Sequence, residues 1–372
     1  MSLIRTVEKY TDLFVESLRK RLVYYSELQN IKLKRPLIDS VKLSSCQEKE
    51  ICDFFAIYYG KKIKTHWHKL YQSYTGEYHY DYFPEYLFST ELEPKLNPYR
   101  FAAQYGDKNL LHKFFGDIQG LHVPHTFLAC SRGVLYTGDN KLVSHDCGVD
   151  LLKNIGDCVI KKTIDTSSGR DVQICYFANG IDLKTGKDIS TVLSYFGSDF
   201  VVQEKIKQCE FLNCINPNSV NTFRVITYIL ENKIYVCPIA LRFGRSNTDR
   251  DNLHSGGLGI GITKDGTLRD RAFSEFGESY AYHPDTHFKF SNQLVKYGER
   301  TISDIHEMAK KLHSRLPFLG ILSWDLTIDD DNLITLLEVN TVGQGVWLNQ
   351  LANGLPLFGQ NTSKILSLLT RK

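Results

Sequence analysis

Long apolar runs are missing from this chain. No stretch of its 372 residues reaches the length of a membrane span. The opening residues, MSLIRTVEKYTDLFVESLRKRL, are charged throughout and lack the apolar centre of a secretory signal. Cysteine is present but unorganised. The nine cysteines, spread from Cys46 to Cys237, are odd in number and none stands in Cys-x-x-Cys spacing. That argues against a zinc site and against a disulfide framework, and the thiols read as reduced core residues of a cytoplasmic protein. An excess of either charge is also missing. A net charge of +3 makes no case for nucleic-acid binding. Internal repeats and low-complexity runs are absent. What remains is a chain long enough for two or three lobes, with 42% hydrophobic and 23% charged residues, an ordinary balance for a large soluble core.

Periodicity divides the chain. Leu13, Phe14, Leu18, Leu22 and Tyr25 recur at helical spacing within a helix expected from residue 4 to about 32. The run LRKRLVYY makes it basic; a membrane-surface face and a solvated face both fit that run. A second helix is expected over 47–59. The aromatic stretch 67–99, with Pro84, Pro94 and Pro98, reads as an irregular packed linker with a boundary near Pro98. Beyond it a helix is expected at about 107–118 and strands near 125–130, 134–137, 158–163 and 200–203. A short helix at 217–220, strands at 222–230, 233–242 and 320–340, and a helix at 298–315 follow.

The hairpin LSWDLTIDDDNLITLLEVNTVG carries the most chemistry. Residues of one parity share one face of a strand. Ser323, Asp325 and Thr327 share one face of the first strand, and Leu336, Glu338 and Asn340 one face of the second. A two-residue turn at Asp331-Asn332 puts Asp325 opposite Glu338; a four-residue turn leaves them diagonal neighbours on the same face. Two carboxylates that close repel, unless water or a divalent cation lies between them. A hairpin with one wet face accounts for an isolated pair. Asn340, continuing the face into Thr341-Val342-Gly343, favours a site for a hard cation such as Mg²⁺, which takes oxygen ligands.

Other stretches supply cations and small residues. Cys158-Val159-Ile160-Lys161-Lys162 is a strand ending in lysine, and the polar loop at 165–170 after it offers backbone N–H groups to phosphates. With glycine only at Gly169, that loop is too poor in glycine for a P-loop. Arg224 opens one strand and Arg242 closes the next, followed by Asp251-Asn252-Leu253-His254-Ser255-Gly256-Gly257. Guanidinium forks match the oxygens of phosphoryl and acyl groups, and the glycines let backbone approach closely.

An acidic residue, a turn and Glu-x-Asn, here Asp325, Glu338 and Asn340, resemble the metal signature of the ATP-grasp superfamily. The order SVNTFRV, LRFG, DNLHSGGLG, SWDL, LLEVN resembles the ligases that add glutamate to ribosomal proteins. With YFPEYLF and ELEPKLNPYR in front, it is similar to the sugar-transfer-associated ATP-grasp family over roughly 80–372. The resemblance implies an α+β ATP-grasp fold, with a helical segment over 1–97, a lid lobe over 98–200 and a C-terminal lobe over 201–372. It implies that Lys108 and Lys161, with Lys162 the alternative to Lys161, reach the ATP phosphates. The strand end Gln203, Glu204, Lys205 and Ile206 becomes the adenine hinge, with Glu210 on the ribose. Asp325, Glu338 and Asn340 would hold one or two Mg²⁺ ions, with Mn²⁺ able to substitute. Arg224, Arg242 and Asn252 would line the place where γ-phosphate and carboxylate meet. The implied activity is carboxylate–amine ligation through an acylphosphate. A phosphotransferase acting on a sugar or related molecule and a non-catalytic ATP-binding module remain alternatives. Small-molecule or glycan-linked carboxylates and amines are the implied substrates, and polysaccharide-assembly proteins the implied associates.

Overall fold

Two sheets organise the chain in the computed structural model, which describes residues 2–163, 172–246 and 251–370. The expected phosphate loop at 165–170 lies outside these residues. Among the described residues, the smaller sheet has six strands, all antiparallel, in the order Val134–Tyr136, Thr126–Ser131, Phe200–Glu204, Gly156–Lys162, Val172–Ala178 and Ile181–Asp182. It is backed by helices His145–Leu152 and Ile189–Phe196, which share its apolar core. The larger sheet runs Leu121–His122, Ile334–Asn340, Ile321–Ile328, Thr222–Leu230, Ala240–Phe243, Leu258–Gly261, Ala272–Phe273 and Ser279–Tyr280, with Lys233–Val236 paired to one end of Thr222–Leu230. Helix Glu299–Ser314 packs Ile302, Ile305, Ala309 and Leu312 into its core. This is the two-lobed α+β arrangement that the motif order implied. The smaller sheet runs on through Glu204, so the expected division at 200/201 falls inside a strand.

The stretch 67–99 is more helical than its prolines suggested. His66–Thr75 is a helix whose buried residues Trp67, Leu70, Tyr71 and Tyr74 recur at helical spacing. The prolines fall where no N–H is required: Pro84 and Pro98 precede the first turns of short helices, and Pro94 stands at the second position of Glu93–Leu96. The helix expected at 107–118 is a 3-10 turn, Lys108–Leu110, leading into Leu111–Phe115. The one expected at 217–220 lies earlier, at Glu210–Ile215. The strand expected at 233–242 is two strands, interrupted where Pro238 removes a donor.

The first helix, Ser2–Leu33, turns its periodic apolar residues outward: Phe14, Leu22 and Tyr25 are exposed. Its inner face carries Arg19, Ile31 and the following Lys34 instead. No described helix is long and apolar enough to cross a membrane. Among the described residues, the buried apolar side chains of the helical segment belong to clusters shared with the rest of the chain. Phe55, Phe83 and Phe88 pack with Ile226, Tyr228 and Ile321 of the larger sheet. Trp67, Tyr71 and Tyr82 pack with Leu348, Leu351 and Ala352.

Asn97 joins the two. Its Nδ2 donates to the carbonyls of Ile321 and Thr341 at 2.6 and 2.7 Å, and its Oδ1 accepts from Gly320 N and Ile321 N at 2.9 and 3.1 Å. One buried amide thus satisfies four backbone groups at the strand ends beside the acidic hairpin. Asn97→Ala should lower the unfolding free energy by on the order of 3 kcal/mol, because Ile321 N and Thr341 O lose this buried partner, while Gly320 N keeps Leu96 O and Ile321 O keeps Gln344 Nε2. Urea denaturation should show an earlier midpoint at unchanged slope; an unaltered midpoint would mean that the strand ends are held without it.

Candidate active site

Strand register places the charges. Arg224 stands directly opposite Asp325, and Asp325 directly opposite Glu338. The expected pairing of Asp325 with Glu338 is present, but not through a two-residue turn. Asp329 N donates to Leu333 O at 3.0 Å, leaving a three-residue loop that ends on Asn332 with φ +69°. That odd loop shifts the register to Leu326 opposite Leu336, and a β-bulge at Leu337 restores it before Glu338. The bulge also corrects the expected faces. Leu336 packs in the core with Val339, while Glu338 and Asn340 line the cleft.

Arg242, opposite Thr222 on the next strand, reaches across it. Its Nε and Nη2 donate to Thr222 Oγ1 at 3.0 and 2.9 Å. Its Nη2 lies 3.1 Å from both Asp325 Oδ2 and Asp251 Oδ2. Arg224 Nε lies 2.9 Å from Asp325 Oδ1, a Coulombic approach without in-line hydrogen-bond geometry. Burial and then the neighbouring Arg242 lower the Arg224 pKa. Burial would lower Arg242 as well, but Asp251, Asp325 and Glu338 outweigh it and raise its pKa.

Lys108, at the start of its 3-10 turn, puts Nζ 2.9 Å from Glu338 Oε1. Lys161, from the smaller sheet, lines the same cleft. Burial, then Lys108, depress its pKa to about 8 against the pull of Glu338. Lys162 lines the cleft too, so the structure leaves both lysines in place. Asn252 accepts from His254 N at 2.9 Å, capping the turn Leu253–Ser255, and faces the cleft. A Cβ on Gly257 would lie 2.4 Å from Asp251 O, so this loop closes only around glycine.

The hinge residues divide. Glu204, Lys205 and Ile206 line the cleft. Glu204 Oε1 lies 2.7 Å from His122 Nε2 and accepts from His125 N at 2.6 Å, and Glu204 N donates to His125 O at 3.0 Å. Gln203 is a correction: it is buried outside the cleft, with Nε2 3.3 Å from Thr126 Oγ1. Glu210 is another. It stands exposed at the first turn of Glu210–Ile215, off the cleft lining, where a carboxylate suits the helix N-terminus.

Sequence reasoning missed three supports. His122 links the lobes, with Nδ1 2.7 Å from Asp329 Oδ2 and Nε2 on Glu204. Burial opposes its charge, but the two carboxylates raise its pKa. Asp251 pairs with Arg242, and its place beside Asn252 was the available signal. The motifs YFPEYLF and ELEPKLNPYR also prove to carry site residues. Glu93 accepts from Gly343 N and Gln344 N at 3.0 and 2.8 Å, and Glu85 from Val346 N at 3.2 Å. They hold the loop that follows Asn340. Burial raises the Glu93 pKa to about 7, although these bonds pull it down.

The cleft encloses about 1220 Å³, more than the roughly 300–1,000 Å³ of a single small-molecule pocket. Among the described residues no three His, Cys, Asp or Glu side chains converge as a closed metal site. Asp325, Glu338 and Asn340 nevertheless fit a Mg²⁺ that shares its shell with phosphates. They offer oxygen atoms at one end of the hairpin, and Asp325 Oδ1 is buried with no hydrogen bond besides its ion pair with Arg224.

The family described as sugar-transfer associated ATP-grasp matches residues 87–365. The VanG D-Ala:D-Ser ligase from Enterococcus faecalis is 14% identical, with a TM-score of 0.41, covering 75% of this chain and 62% of its own. The D-alanine–D-alanine ligase from Bacillus anthracis is 15% identical at 0.38, covering 76% and 69%. The biotin carboxylase from Campylobacter jejuni is 12% identical at 0.43, covering 72% and 47%. The chain thus spans less than two thirds of the first of these structures. No curated protein matches it.

Lys161 yields a pH test. In the folded chain it loses its proton near pH 8, against an ordinary value of 10.5. Between those values the unfolded chain binds the extra proton, so the contribution of this group to stability rises with pH across that window. Lys161→Met should remove the rise, as read by denaturation at pH values spanning it. Tripolyphosphate binding should run the other way, weakening as pH passes about 8 in wild type and losing that step in Lys161→Met. A parallel pH dependence in both proteins would rule out Lys161 as a phosphate contact.

Proposed function

This chain belongs to the sugar-transfer associated ATP-grasp family, and from that premise we propose that it is an ATP-dependent carboxylate–amine ligase acting in the cytoplasm on surface-polysaccharide or glycoconjugate precursors. One observation carries the reading. Lys108, Lys161, Arg224 and Arg242 are among the cationic side chains that line one cleft with Asp325 and Glu338. A polyanion flanked by a carboxylate substrate suits that balance.

Each group has a task in this reading. Backbone at 204–206 takes the adenine edge. Lys108 and Lys161 neutralise phosphate oxygens. Asp325, Glu338 and Asn340 would hold Mg²⁺, which when bound shields the charge of the phosphates. Arg224 and Arg242 orient the substrate carboxylate and stabilise charge as its oxygen attacks the γ-phosphorus. The acyl–phosphate bond forms as the bond to ADP breaks. An amine then displaces phosphate from the acyl carbon. The Asn252 amide, which lines the cleft, would donate to the developing oxyanion. The glycan setting rests on the family's association with sugar transfer alone.

The test supplies ATP, Mg²⁺ and hydroxylamine with the proteinogenic amino acids and uronic acids as carboxylates. A ligase gives an acyl hydroxamate, with ADP and free phosphate in equal amounts. A stable phosphate ester without free phosphate would instead establish a kinase. Arg242→Lys should reduce hydroxamate formation roughly a hundredfold while ATP affinity changes much less, since a point charge does not replace a planar fork. Glu338→Gln should abolish turnover and weaken ATP binding; near-normal turnover at saturating Mg²⁺ would remove Glu338 from the metal site.

A further inference from the structure

The cleft that holds the arginines is also lined by His254, Trp347 and Leu348. His254 is half exposed there, and its ring centroid lies 5.7 Å from that of Trp347. Its Nδ1 is 2.7 Å from Glu275 Oε2. The other oxygen, Glu275 Oε1, is 3.2 Å from Lys34 Nζ, and both Glu275 and Lys34 are buried. Lys34 Nζ also sits over the Trp347 ring, 4.6 Å from its centroid. A backbone tie anchors the carboxylate's strand end: Tyr74 donates its hydroxyl to Glu275 O at 2.6 Å.

A buried lysine–glutamate pair is a poor source of stability, because both ions must be desolvated. Here the pair does something else. It points a fixed carboxylate at one nitrogen of a histidine that faces the cleft. With Nδ1–H donated to Glu275, Nε2 is left as the basic nitrogen. A base held by a third group is the usual arrangement for activating a nucleophile. His254 lines the same cleft as the arginines and lies three residues after Asp251, whose carboxylate meets Arg242.

We propose that His254 is the general base for the incoming amine, with Glu275 and Lys34 as positioning residues. This inference rests on the ligase reading above. An amine near neutral pH is protonated and has no lone pair to give. It must lose one proton before attack and another as the amide forms. In the step assigned to His254, Nε2 takes the ammonium proton and so frees the nitrogen lone pair, which forms the C–N bond to the acyl carbon. The C–O bond to the phosphate breaks, its electron pair leaves on the phosphate oxygen, and that oxygen takes the nitrogen's second proton. Lys34 follows the first helix in sequence, so the helical segment supplies part of the chemistry as well as packing.

Hydroxylamine and methylamine separate the roles, because hydroxylamine is already neutral near pH 7 and methylamine is protonated. The full chain is assayed with ATP, Mg²⁺ and the same carboxylate panel, offering each amine in turn. His254→Gln should lower N-methylamide formation about a hundredfold or more, while hydroxamate formation falls less than tenfold. Glu275→Gln and Lys34→Met should lower the amide-to-hydroxamate ratio in the same direction, and Glu275→Asp should recover part of it. A purely structural role would depress both products together. Titration of each variant with a non-hydrolysable ATP analogue checks that the site is folded. Equal losses of both products in His254→Gln with the analogue still bound, or an undiminished amide rate, would overturn the assignment. If wild-type protein makes neither product from any carboxylate, the ligase reading fails first and the inference with it. That failure is recognised without any variant.

Discussion

Asp325 meets two buried guanidiniums, and the rest of the site depends on that contact. Arg224 and Arg242 repel each other, and the carboxylate between them offsets that repulsion, with Asp251 as a second partner of Arg242. Strand register sets Arg224 opposite Asp325, and Arg242 reaches the same carboxylate across the strand between them. Asp251 and Glu338 add to the negative side, yet Lys108 and Lys161 leave the cleft with a surplus of positive charge. A cleft charged in this way is poised for a polyanion. The two apolar cores on either side of the sheet hold the strands rigid enough for the charges to stay apart and paired.

What could be read beforehand was the part governed by local rules. Period-two alternation placed Asp325, Glu338 and Asn340 at a common site, because strand faces follow parity. The two arginines were visible as polar residues at the ends of apolar strands. Lys108, Lys161 and the 204–206 hinge came from motif order, and they do line the cleft. Gln203 and Glu210 did not follow, because a side chain's direction at a strand end or first helical turn depends on neighbours distant in sequence. Gln203 turns toward Thr126, and Glu210 toward solvent. The bulge at Leu337 was invisible for the same reason. Nothing in LLEVN marks which leucine is the extra residue; the three-residue loop decides it.

The helical segment was the least legible region. Its apolar periodicity was genuine, but on the first helix it faces outward, and the inner face carries Arg19 and Lys34. Charged residues at a buried face look like errors until their partners are known. Glu85 and Glu93 were equally opaque, since each serves backbone N–H groups some 250 residues away. A carboxylate that accepts from backbone leaves no complementary side chain to find in the sequence. The motifs around these residues were readable as strings well before their tasks were.

The bulge in the acidic hairpin separates two properties that strand pairing normally ties together. In an unbroken ladder, one residue gained or lost in the turn would swing every side chain of the returning strand to the opposite face. Here the turn has an odd length, and the extra residue is absorbed at Leu337, one position short of Glu338. The turn can therefore drift in length and composition over generations, provided a compensating residue enters or leaves at the bulge. The carboxylates keep their partners throughout. Among relatives of this chain, spacing between the two acidic residues should then vary in steps of single residues, where an ideal hairpin would permit only pairs.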